Sequence, residues 1–399
     1  MAGLYFHIPF CKQACHYCDF HFSTQLKLKP KILWAMTQEL RMRSIEIEGP
    51  LRSIYFGGGT PSIMMPEEIE QLIKLSQMFS EMSQGSITPE NDYQLANCHN
   101  GANINSALEI TLEVNPDDVT LARLRSWKNA GVNRLSLGVQ SFSEKDLCFM
   151  NRAHNVRQAI DALNWTAEVF ENYSVDLIYG IPLRKDSAWK DNLALIQNFA
   201  PVHLSCYALT REPKTAMDHF INQGVMPELD EQQALTEYRE LLTWAAAQNY
   251  ENYEFSNFAK PGFESINNIA YWSGQSYLGI GPSAHSYKGT TRSWNVANNI
   301  KYIKAIEQNK LPIRKETLSS VDQYNEFVMT RLRTAKGIEM RQLLDRFDQK
   351  TCDNLLKMAD RHMKLGHLVL KNGCLKVTSE GKFLTDGLAS DLFLLNLGS

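Results

Sequence analysis

The sequence predicts an α/β protein, namely a partial (β/α)6 barrel followed by a C-terminal, mostly helical, winged-helix-like domain. Short apolar strands alternate with amphipathic helices through the first half of the 399-residue chain, which is typical of a parallel sheet. No GxGxxG follows the first strand, which favours a barrel over a dinucleotide-binding fold. The last eighty residues show a separate pattern of helices and one hairpin.

Six short apolar runs predict the strands of the barrel. They are Leu4–Ile8, Ser53–Phe56, Leu108–Val114, Arg134–Gln140, Ser174–Gly180 and His203–Leu209. Stretches with apolar residues at helical spacing lie between them. These predicted helices are Pro30–Ile47, Pro66–Phe79, Leu121–Asn129, Val156–Phe170 and Ala188–Phe199. In a barrel of this kind, side chains at the carboxyl ends of the strands carry the chemistry.

One stretch interrupts this alternation. Residues 80–107 are rich in Asn, Ser, Gln and Gly and predict a surface insertion. Cys98 and His99 lie within it, and we interpret this lone pair as incidental rather than as a metal site. The predicted barrel core, including the insertion, spans residues 1–225.

The second half of the chain predicts two further parts. Residues 226–315 form a connecting segment that completes the site; it begins with a helix at Asp230–Gln248, and Tyr250–Lys288 is interpreted as an aromatic, glycine-rich loop. Residues 320–399 form the winged-helix-like domain. Its predicted helices are Gln323–Arg333, Met340–Phe347 and Asn354–Leu365, followed by a hairpin with Asn372-Gly373 at its turn.

Composition and charge exclude several classes of protein. The chain is 44% hydrophobic and 21% charged, as in globular proteins. Lys and Arg number 41 against 44 acids, and the last domain holds 12 against 10, so no nucleic-acid partner is expected. No apolar run approaches the ~20 residues of a membrane span, and the first residues do not resemble a signal peptide. We therefore expect a cytoplasmic protein, whose eight cysteines are not a disulfide framework. In a reducing compartment, clustered cysteines more often indicate metal binding.

The strongest motif is C-x3-C-x2-C, formed by Cys11, Cys15 and Cys18 directly after the first strand. Thiolates are the usual ligands of iron–sulfur clusters. Three ligands for four irons leave one iron open to bind a second molecule, as an open zinc position does. Zinc is the alternative, because a fourth ligand is within reach in the sequence. The candidate histidines are His7, His16 and His21.

This loop resembles that of the radical S-adenosylmethionine (radical-SAM) enzymes. In that family S-adenosylmethionine chelates the open iron, and an electron from the cluster splits it to a 5′-deoxyadenosyl radical. The chain is most similar to the coproporphyrinogen-oxidase-like branch, and within it to the heme chaperones. The strings that carry the resemblance, between Gly3 and about His285, are YFHIPFCKQACHYCDF, YFGGGTPS, LEVNP, GVQSF, NRAH, DLIYGIP and LGIGPSAHS.

The resemblance implies a 4Fe–4S cluster on the three cysteines and a set of S-adenosylmethionine contacts. The implied contacts and neighbours of the cluster are Tyr5, Tyr17, Gly58, Gly59, Thr60, Glu113, Gln140, Arg152, Asp176, Ala208 and His285. Their chemistry suits this role: glycines permit close approach of the backbone, a carboxylate or amide bonds polar groups, and the Arg152 fork matches a carboxylate. Each residue alone could equally be structural.

Two departures from the oxidase indicate the chaperone branch. The oxidase has a fourth cysteine two residues after the third, where this chain has Phe20, and it carries an N-terminal extension that this sequence lacks. The resemblance therefore implies a chaperone that binds heme and delivers it to client hemoproteins such as respiratory enzymes. The alternatives are an active radical enzyme acting on a porphyrin or another substrate, and a zinc-stabilised structural module.

The chaperone branch also has an H-N-x-x-Y-W motif, and this chain departs from it at one position. Asn267 replaces the histidine and is a poor axial ligand for iron. Asn268, Tyr271 and Trp272 remain, and the two aromatic rings could form an apolar surface for a porphyrin. We expect these three residues to contact heme, with the axial ligand left open; a packed aromatic loop is the alternative.

Overall fold

The computed structural model describes residues 3–85, 108–182 and 187–395. Their architecture is mixed α/β around one large sheet of twelve strands. The strands from the barrel are β1 Gly3–Ile8, β2 Ser53–Gly58, β3 Glu109–Val114, β4 Arg134–Gln140, β5 Tyr173–Tyr179 and β6 His203–Ala208. They are parallel neighbours in chain order, so the predicted (β/α)6 core is confirmed.

Helices connect these strands, and the predicted ones are found to within a few residues. Among the described residues before Tyr250, the helices are α1 Lys29–Met42, α2 Pro66–Ser83, α3 Leu121–Asn129, α4 Glu144–Phe149, α5 Val156–Val169, α6 Ala188–Phe199, α7 Ala216–Asn222 and α8 Glu231–Ala247. The sequence did not predict α4 and α7, because six or seven residues are too few to show helical periodicity.

The barrel strands have one apolar face and one polar face. On β1, Leu4, Phe6 and Ile8 are fully buried in the main core, and Phe6 stacks on Phe56 of β2 at 5.0 Å. The opposite faces of β1 to β6 carry polar side chains in register, which gather on the inside of the barrel because side chains alternate along a strand. These residues are Tyr5, Tyr55, Glu113, Ser136, Asp176 and Ser205.

The interpretation of Tyr250–Lys288 as a loop is wrong. Its elements are β7 Glu251–Glu254, β8 Asn257–Ala259, helix α9 Ile266–Trp272, β9 Tyr277–Ile280 and β10 His285–Lys288. Three- and four-residue strands between glycines and serines are too short to show alternation in the sequence. One of them is central, since β9 runs parallel to β1 on the side away from β2. The sheet then continues through β11 Thr291–Asn295 and β12 Ile313–Thr317, with α10 Asn299–Glu307 between them.

The C-terminal region has its own core and the predicted winged-helix-like order. Its elements are α11 Ser320–Leu332, β13 Ile338–Glu339, α12 Met340–Arg346, α13 Gln349–Lys364, β14 Leu368–Lys371, β15 Cys374–Val377 and α14 Thr385–Asp391. The three strands form a separate sheet. Asn372 and Gly373 both have positive φ, 52° and 74°, as a tight hairpin turn requires. The exact domain limits 1–225, 226–315 and 320–399 stay a prediction.

The predicted insertion at 80–107 starts later than expected, because its first residues complete the last turn of α2. Residues 86–107, with Cys98 and His99, lie outside the described residues. Within the described ranges, no helix combines the length and apolarity needed to cross a membrane.

Candidate functional site

A cavity of about 660 Å³ opens at the carboxyl ends of the barrel strands and extends towards the C-terminal region. Its wall brings together most residues that the sequence singled out. Those that line it are Cys11, Cys15, Tyr17, Cys18, Gly58, Gly59, Thr60, Glu113, Gln140, Arg152, Asp176, Ala208, Asn268, Tyr271 and Trp272. The predicted cysteine loop, the strand-end residues and the aromatic segment thus face one space.

The cysteine loop is fixed to the barrel at both ends. At its start the Cys11 amide donates to the Ser23 carbonyl at 3.1 Å, and Ser23 in turn donates to Pro9 at 3.0 Å. Further along, the His16 amide donates to the Met150 carbonyl at 3.1 Å, and its own carbonyl accepts from Met217 at 2.8 Å. The loop therefore has a defined path between the ends of β1, β4 and β6.

The thiols of this loop lie in a partly buried setting. Burial raises the pKa of Cys11 to about 11 and that of Cys18 to about 12. The Cys15 sulfur accepts a hydrogen bond from Arg152 Nη1 at 3.3 Å. Metal ligation requires thiolates, so a metal bound here would release the thiol protons.

The donor set fits an iron–sulfur cluster better than zinc. A structural zinc ion needs four ligands around one point, and among the described residues no three His, Cys, Asp or Glu side chains converge in that way. Three cysteines of a cubane hold three different irons and need not converge. The candidate histidines also have other partners: His7 bonds the His21 carbonyl at 2.8 Å, His16 the Phe149 carbonyl at 3.0 Å, and His21 the Asn299 side chain at 2.9 Å.

Arg152 ties the cysteine loop to the end of β4. Besides Cys15, its guanidinium donates to the Tyr17 hydroxyl at 3.4 Å, to Asn115 Oδ1 at 2.9 Å and to the Gly138 carbonyl at 2.9 Å. Its buried Nε has no hydrogen-bond partner. Burial lowers the pKa of Arg152, but Tyr17 and Cys15 together raise it above its ordinary value. This side chain places a fixed positive charge beside the thiols.

The glycines after β2 are required by the chain's own packing as well as by any ligand. Gly58 has φ +107°, and a Cβ there would lie 2.7 Å from the His7 ring. A Cβ on Gly59 would lie 2.5 Å from the Phe10 carbonyl oxygen. The Gly59 amide donates to Ile8 at 2.9 Å and the Thr60 amide to Phe10 at 2.6 Å. The second strand is thus held directly against the start of the cysteine loop.

Two carboxyl groups that face the cavity have raised pKa values. Burial raises the pKa of Glu113 to about 8, although it accepts hydrogen bonds from the Tyr55 hydroxyl at 2.8 Å and the Gly58 amide at 3.2 Å. Burial also raises the pKa of Asp176 to about 6, opposed by hydrogen bonds from Ser136 and other hydroxyls. Neither carboxyl group forms a direct ion pair with an arginine or lysine of the described residues, so a cationic ligand would find an acceptor here.

Gln140 and Ala208 stand at the ends of their strands, as predicted. Gln140 has φ +67°, a conformation that non-glycine residues rarely adopt, and the pairing of β4 with β5 shifts register beside it. This bend directs the chain away from the sheet at the cavity wall. Ala208, the last residue of β6, pairs with Tyr179 and presents a small surface to the cavity.

Tyr5 and His285 do not line the cavity. The Tyr5 hydroxyl lies 3.2 Å from His7 Nδ1, and its ring stacks on Tyr55 at 6.1 Å, beneath the cavity wall. His285 lies on β10 and stacks on Trp294 at 6.0 Å. Their implied contacts with the cofactors stay predictions, without support from the lining of the cavity.

The proposed heme residues lie on helix α9, whose start is anchored to the barrel. Glu109 of β3 accepts hydrogen bonds from the amides of Ile266 at 3.1 Å and Asn267 at 3.2 Å. At the other end, Tyr271 and Trp272 pack edge to face, with centroids 5.0 Å apart. The Tyr271 side chain is 46% exposed. An open aromatic surface thus stands in the wall of the cavity, with Asn267 beside it.

Several residues of the cavity wall were not among those predicted from the sequence. They are Tyr55, Asn115, Arg134, Ser136, Ser205, Tyr207, Arg333 and Asp386. Alternation from Gln140 along β4 could have identified Arg134 and Ser136, because every second residue of a strand shares a face. Arg333 and Asp386 come from the C-terminal region, and no local signal connects them with the barrel.

Comparisons with known proteins agree with this arrangement. Residues 5–196 match the radical SAM superfamily model, and residues 318–384 match the HemN C-terminal domain model. The heme chaperone HemW of Bacillus subtilis is 30% identical over 389 residues, or 96% of this chain and 97% of that protein. HemW of Lactococcus lactis is 31% identical, covering 87% and 84%. The fold is similar to coproporphyrinogen III oxidase (HemN) of Escherichia coli, with TM-score 0.80, 23% identity, and 98% and 90% coverage.

Proposed function

The chain belongs to the radical-SAM superfamily and, within it, to the family of the heme chaperone HemW, and on that premise we propose that it binds heme and delivers it to client hemoproteins. Superfamily membership implies a 4Fe–4S cluster and S-adenosylmethionine as cofactors. Heme is the cargo in this proposal. Respiratory enzymes as clients and a cytoplasmic location remain predictions from the sequence.

One observation carries the proposal: the cysteine loop and the aromatic pair Tyr271–Trp272 line the same cavity. Two aromatic rings, each with one polar handle, suit a flat, largely apolar porphyrin. Family membership alone does not say which residues of this chain would hold the heme. The shared cavity supports a position for the heme next to the residues proposed for the cofactors.

The residues present fit the two cofactors. Cys11, Cys15 and Cys18 would hold the cluster, which supplies an open iron and one-electron chemistry when bound. Arg152 would keep the loop and its thiolates in position through its bonds to Cys15 and Tyr17. Glu113, in its ionised form, would accept hydrogen bonds from S-adenosylmethionine.

An active radical enzyme is the second candidate. The observation that favours it is the set of polar residues at successive strand ends, which the cavity brings together as fully as an enzyme would need. Against oxidase activity stands Phe20, at the position of the oxidase's fourth cysteine. Phe20 lines the cavity and is 62% exposed. At this position a phenyl ring therefore faces the cavity instead of a thiol. We therefore propose no coproporphyrinogen oxidase activity.

Glu113→Ala and Gln140→Ala should each weaken the binding of S-adenosylmethionine and leave the cluster in place. Both side chains face the cavity, while neither is an iron ligand. Loss of one hydrogen bond to a charged ligand costs roughly 1.5–3 kcal/mol, or about ten- to hundredfold in affinity. Isothermal calorimetry on anaerobically reconstituted protein measures this. If both variants bind the ligand like wild type, neither residue contacts it.

The heme proposal is tested by titrating heme into the wild type, Trp272→Ala and Asn267→His. Trp272→Ala should bind heme more weakly, by about 2–3 kcal/mol, because a large aromatic contact is removed. Asn267→His should change the Soret and visible bands, because it adds an imidazole to the wall of the cavity. Trp34→Ala is the matched control, since Trp34 is 46% exposed and does not line the cavity.

Turnover decides between the two candidate functions. Wild type and Phe20→Cys are incubated with coproporphyrinogen, S-adenosylmethionine and a reductant, and the products are analysed by mass spectrometry. Neither should form decarboxylated product, because one added thiol does not supply the geometry of a catalytic site. Product from the wild type would favour the enzyme.

In the heme titration, identical spectra and affinities in wild type, Trp272→Ala and Asn267→His would show that the 267–272 segment is not part of the heme site.

A further inference from the structure

We propose that Arg333 is the binding group for a propionate of the heme, and that it exchanges Asp386 for that carboxylate when heme enters the cavity. This inference rests on the proposed function and specifies how the cargo is held. Heme carries two carboxylates besides its apolar ring, so a seat made only of aromatic residues would leave them without a partner.

Charge in the cavity wall points to Arg333. The described lining contains three cationic side chains, namely Arg134, Arg152 and Arg333. Arg152 is engaged with the cysteine loop and the end of β4. Arg134 is only 2% exposed and lies 3.8 Å from Glu109 inside the barrel. Arg333 is therefore the cation in this part of the chain that stands at the aromatic end of the cavity.

The surroundings of Arg333 suit a porphyrin carboxylate. Its guanidinium lies over the Trp272 ring, with its carbon 5.4 Å from the ring centroid, and over Phe255 at 5.7 Å. Arginine stacks on aromatic faces and binds carboxylates with two parallel hydrogen bonds. A porphyrin ring packed against Trp272 would thus bring its propionates close to Arg333. An arginine side chain can donate one hydrogen bond to each oxygen of a carboxylate.

The present partner of Arg333 already shows this binding geometry. Asp386 accepts from Arg333 Nε at 2.8 Å and from Nη2 at 2.6 Å, one bond to each carboxylate oxygen. Asp386 is 64% exposed, whereas Arg333 is 27% exposed. An ion pair with one partner in solvent contributes little to stability. A second carboxylate, held nearby by the contact of its porphyrin with the aromatic rings, can therefore replace Asp386.

Glu254 is the other acid near this guanidinium, and it is already occupied. It is buried, and it accepts hydrogen bonds from the Ser256 amide at 3.2 Å and from the Asn257 side chain. Burial raises the pKa of Glu254 above its ordinary value. Asp386 is thus the competitor that heme has to displace.

The exchange would also change a contact within the C-terminal region. Arg333 follows α11, and Asp386 lies on α14, so both belong to the C-terminal region. When Asp386 is released, the ion pair between Arg333 and helix α14 is lost. The ion pair between Arg239 of α8 and Glu380, 3.1 Å apart, lies outside the cavity lining and would remain.

The test compares heme with heme dimethyl ester, in which both propionates are esterified, on the full-length chain. Arg333→Gln should weaken heme binding about ten- to hundredfold and leave binding of the ester unchanged. Arg333→Lys keeps the positive charge but loses the two parallel N–H donors of the guanidinium. Its affinity for heme should therefore lie between those of wild type and Arg333→Gln. Asp386→Asn should bind heme at least as tightly as wild type, because the competitor is gone. Arg239→Gln is the control and should bind both like wild type.

The outcomes separate this site from the function on which it rests. A wild type that binds neither porphyrin contradicts the proposed function. The wild type could bind both porphyrins while Arg333→Gln loses the same affinity for heme as for the ester. That result would show that Arg333 only supports Trp272, and it would contradict the propionate site without contradicting the proposed function. Weaker heme binding in Asp386→Asn would contradict the exchange, and this variant keeps the test decisive if Arg333→Gln fails to fold.

Discussion

Cys15→Ala is expected to abolish the iron–sulfur cluster. Three thiolates are the full set that the loop offers, and two cannot hold a four-iron cluster stably. Cys15 is also the cysteine that Arg152 contacts, at 3.3 Å, so its loss removes a bond that keeps the loop against β4. After anaerobic reconstitution the variant should contain almost no iron or acid-labile sulfide, and its charge-transfer absorption should disappear.

Cys148→Ala is the matched control for this experiment. Cys148 is exposed, and its carbonyl accepts from the Asn151 amide at 3.0 Å, in the segment that carries Arg152. Its thiol has no assigned role, so this variant should retain the four irons and four sulfides of a 4Fe–4S cluster. A full cluster in Cys15→Ala would show that the cysteine assignment is wrong.

Gly59→Ala should destabilise the protein and reduce cluster content together. The added Cβ would lie 2.5 Å from the Phe10 carbonyl oxygen and 2.9 Å from that of Ile8, and these are backbone atoms that cannot rotate away. Forcing an atom into such a contact costs about 1–3 kcal/mol, and the strain falls on the start of the cysteine loop. Chemical denaturation and iron analysis of the same preparation measure both effects.

Gly387→Ala is a suitable comparison, because Gly387 lies in α14 and no atom would lie within 4 Å of its Cβ. Alanine in a helix is favoured over glycine by about 0.5–1 kcal/mol, so this variant should be as stable as wild type or more so, with a full cluster. If Gly59→Ala is as stable as wild type, the segment after β2 can move away from the start of the cysteine loop without a loss of stability.

The sequence predicted the parts of the fold whose signals are local. Strand β4 was located to the residue because Leu135, Leu137 and Val139 alternate with small residues between two polar ends, a local pattern typical of a strand. The short strand β9 was missed, since its place in the sheet depends on pairing with β1, about 270 residues earlier. Pairing over that distance leaves no pattern in a four-residue segment.

The same distinction holds for the site. Glu113, Gln140 and Asp176 were named from the resemblance to a known family, and each lies in a strand that the sequence predicts. Arg333 could not be predicted, because its position in the cavity wall results from how the C-terminal region packs on the barrel. For Gly58 and Gly59 the sequence indicated close backbone approach, but it could not show that His7 and Phe10 are the neighbours.

The position of β1 between β2 and β9 has a consequence for the order of assembly during synthesis. The cysteine loop follows β1 and leaves the ribosome early, but one edge of β1 stays unpaired until residues 277–280 have been made. Unpaired strand edges are open to wrong partners. A cluster inserted into the nascent chain would therefore sit on an incomplete sheet, whereas insertion after release would find the loop supported from both sides.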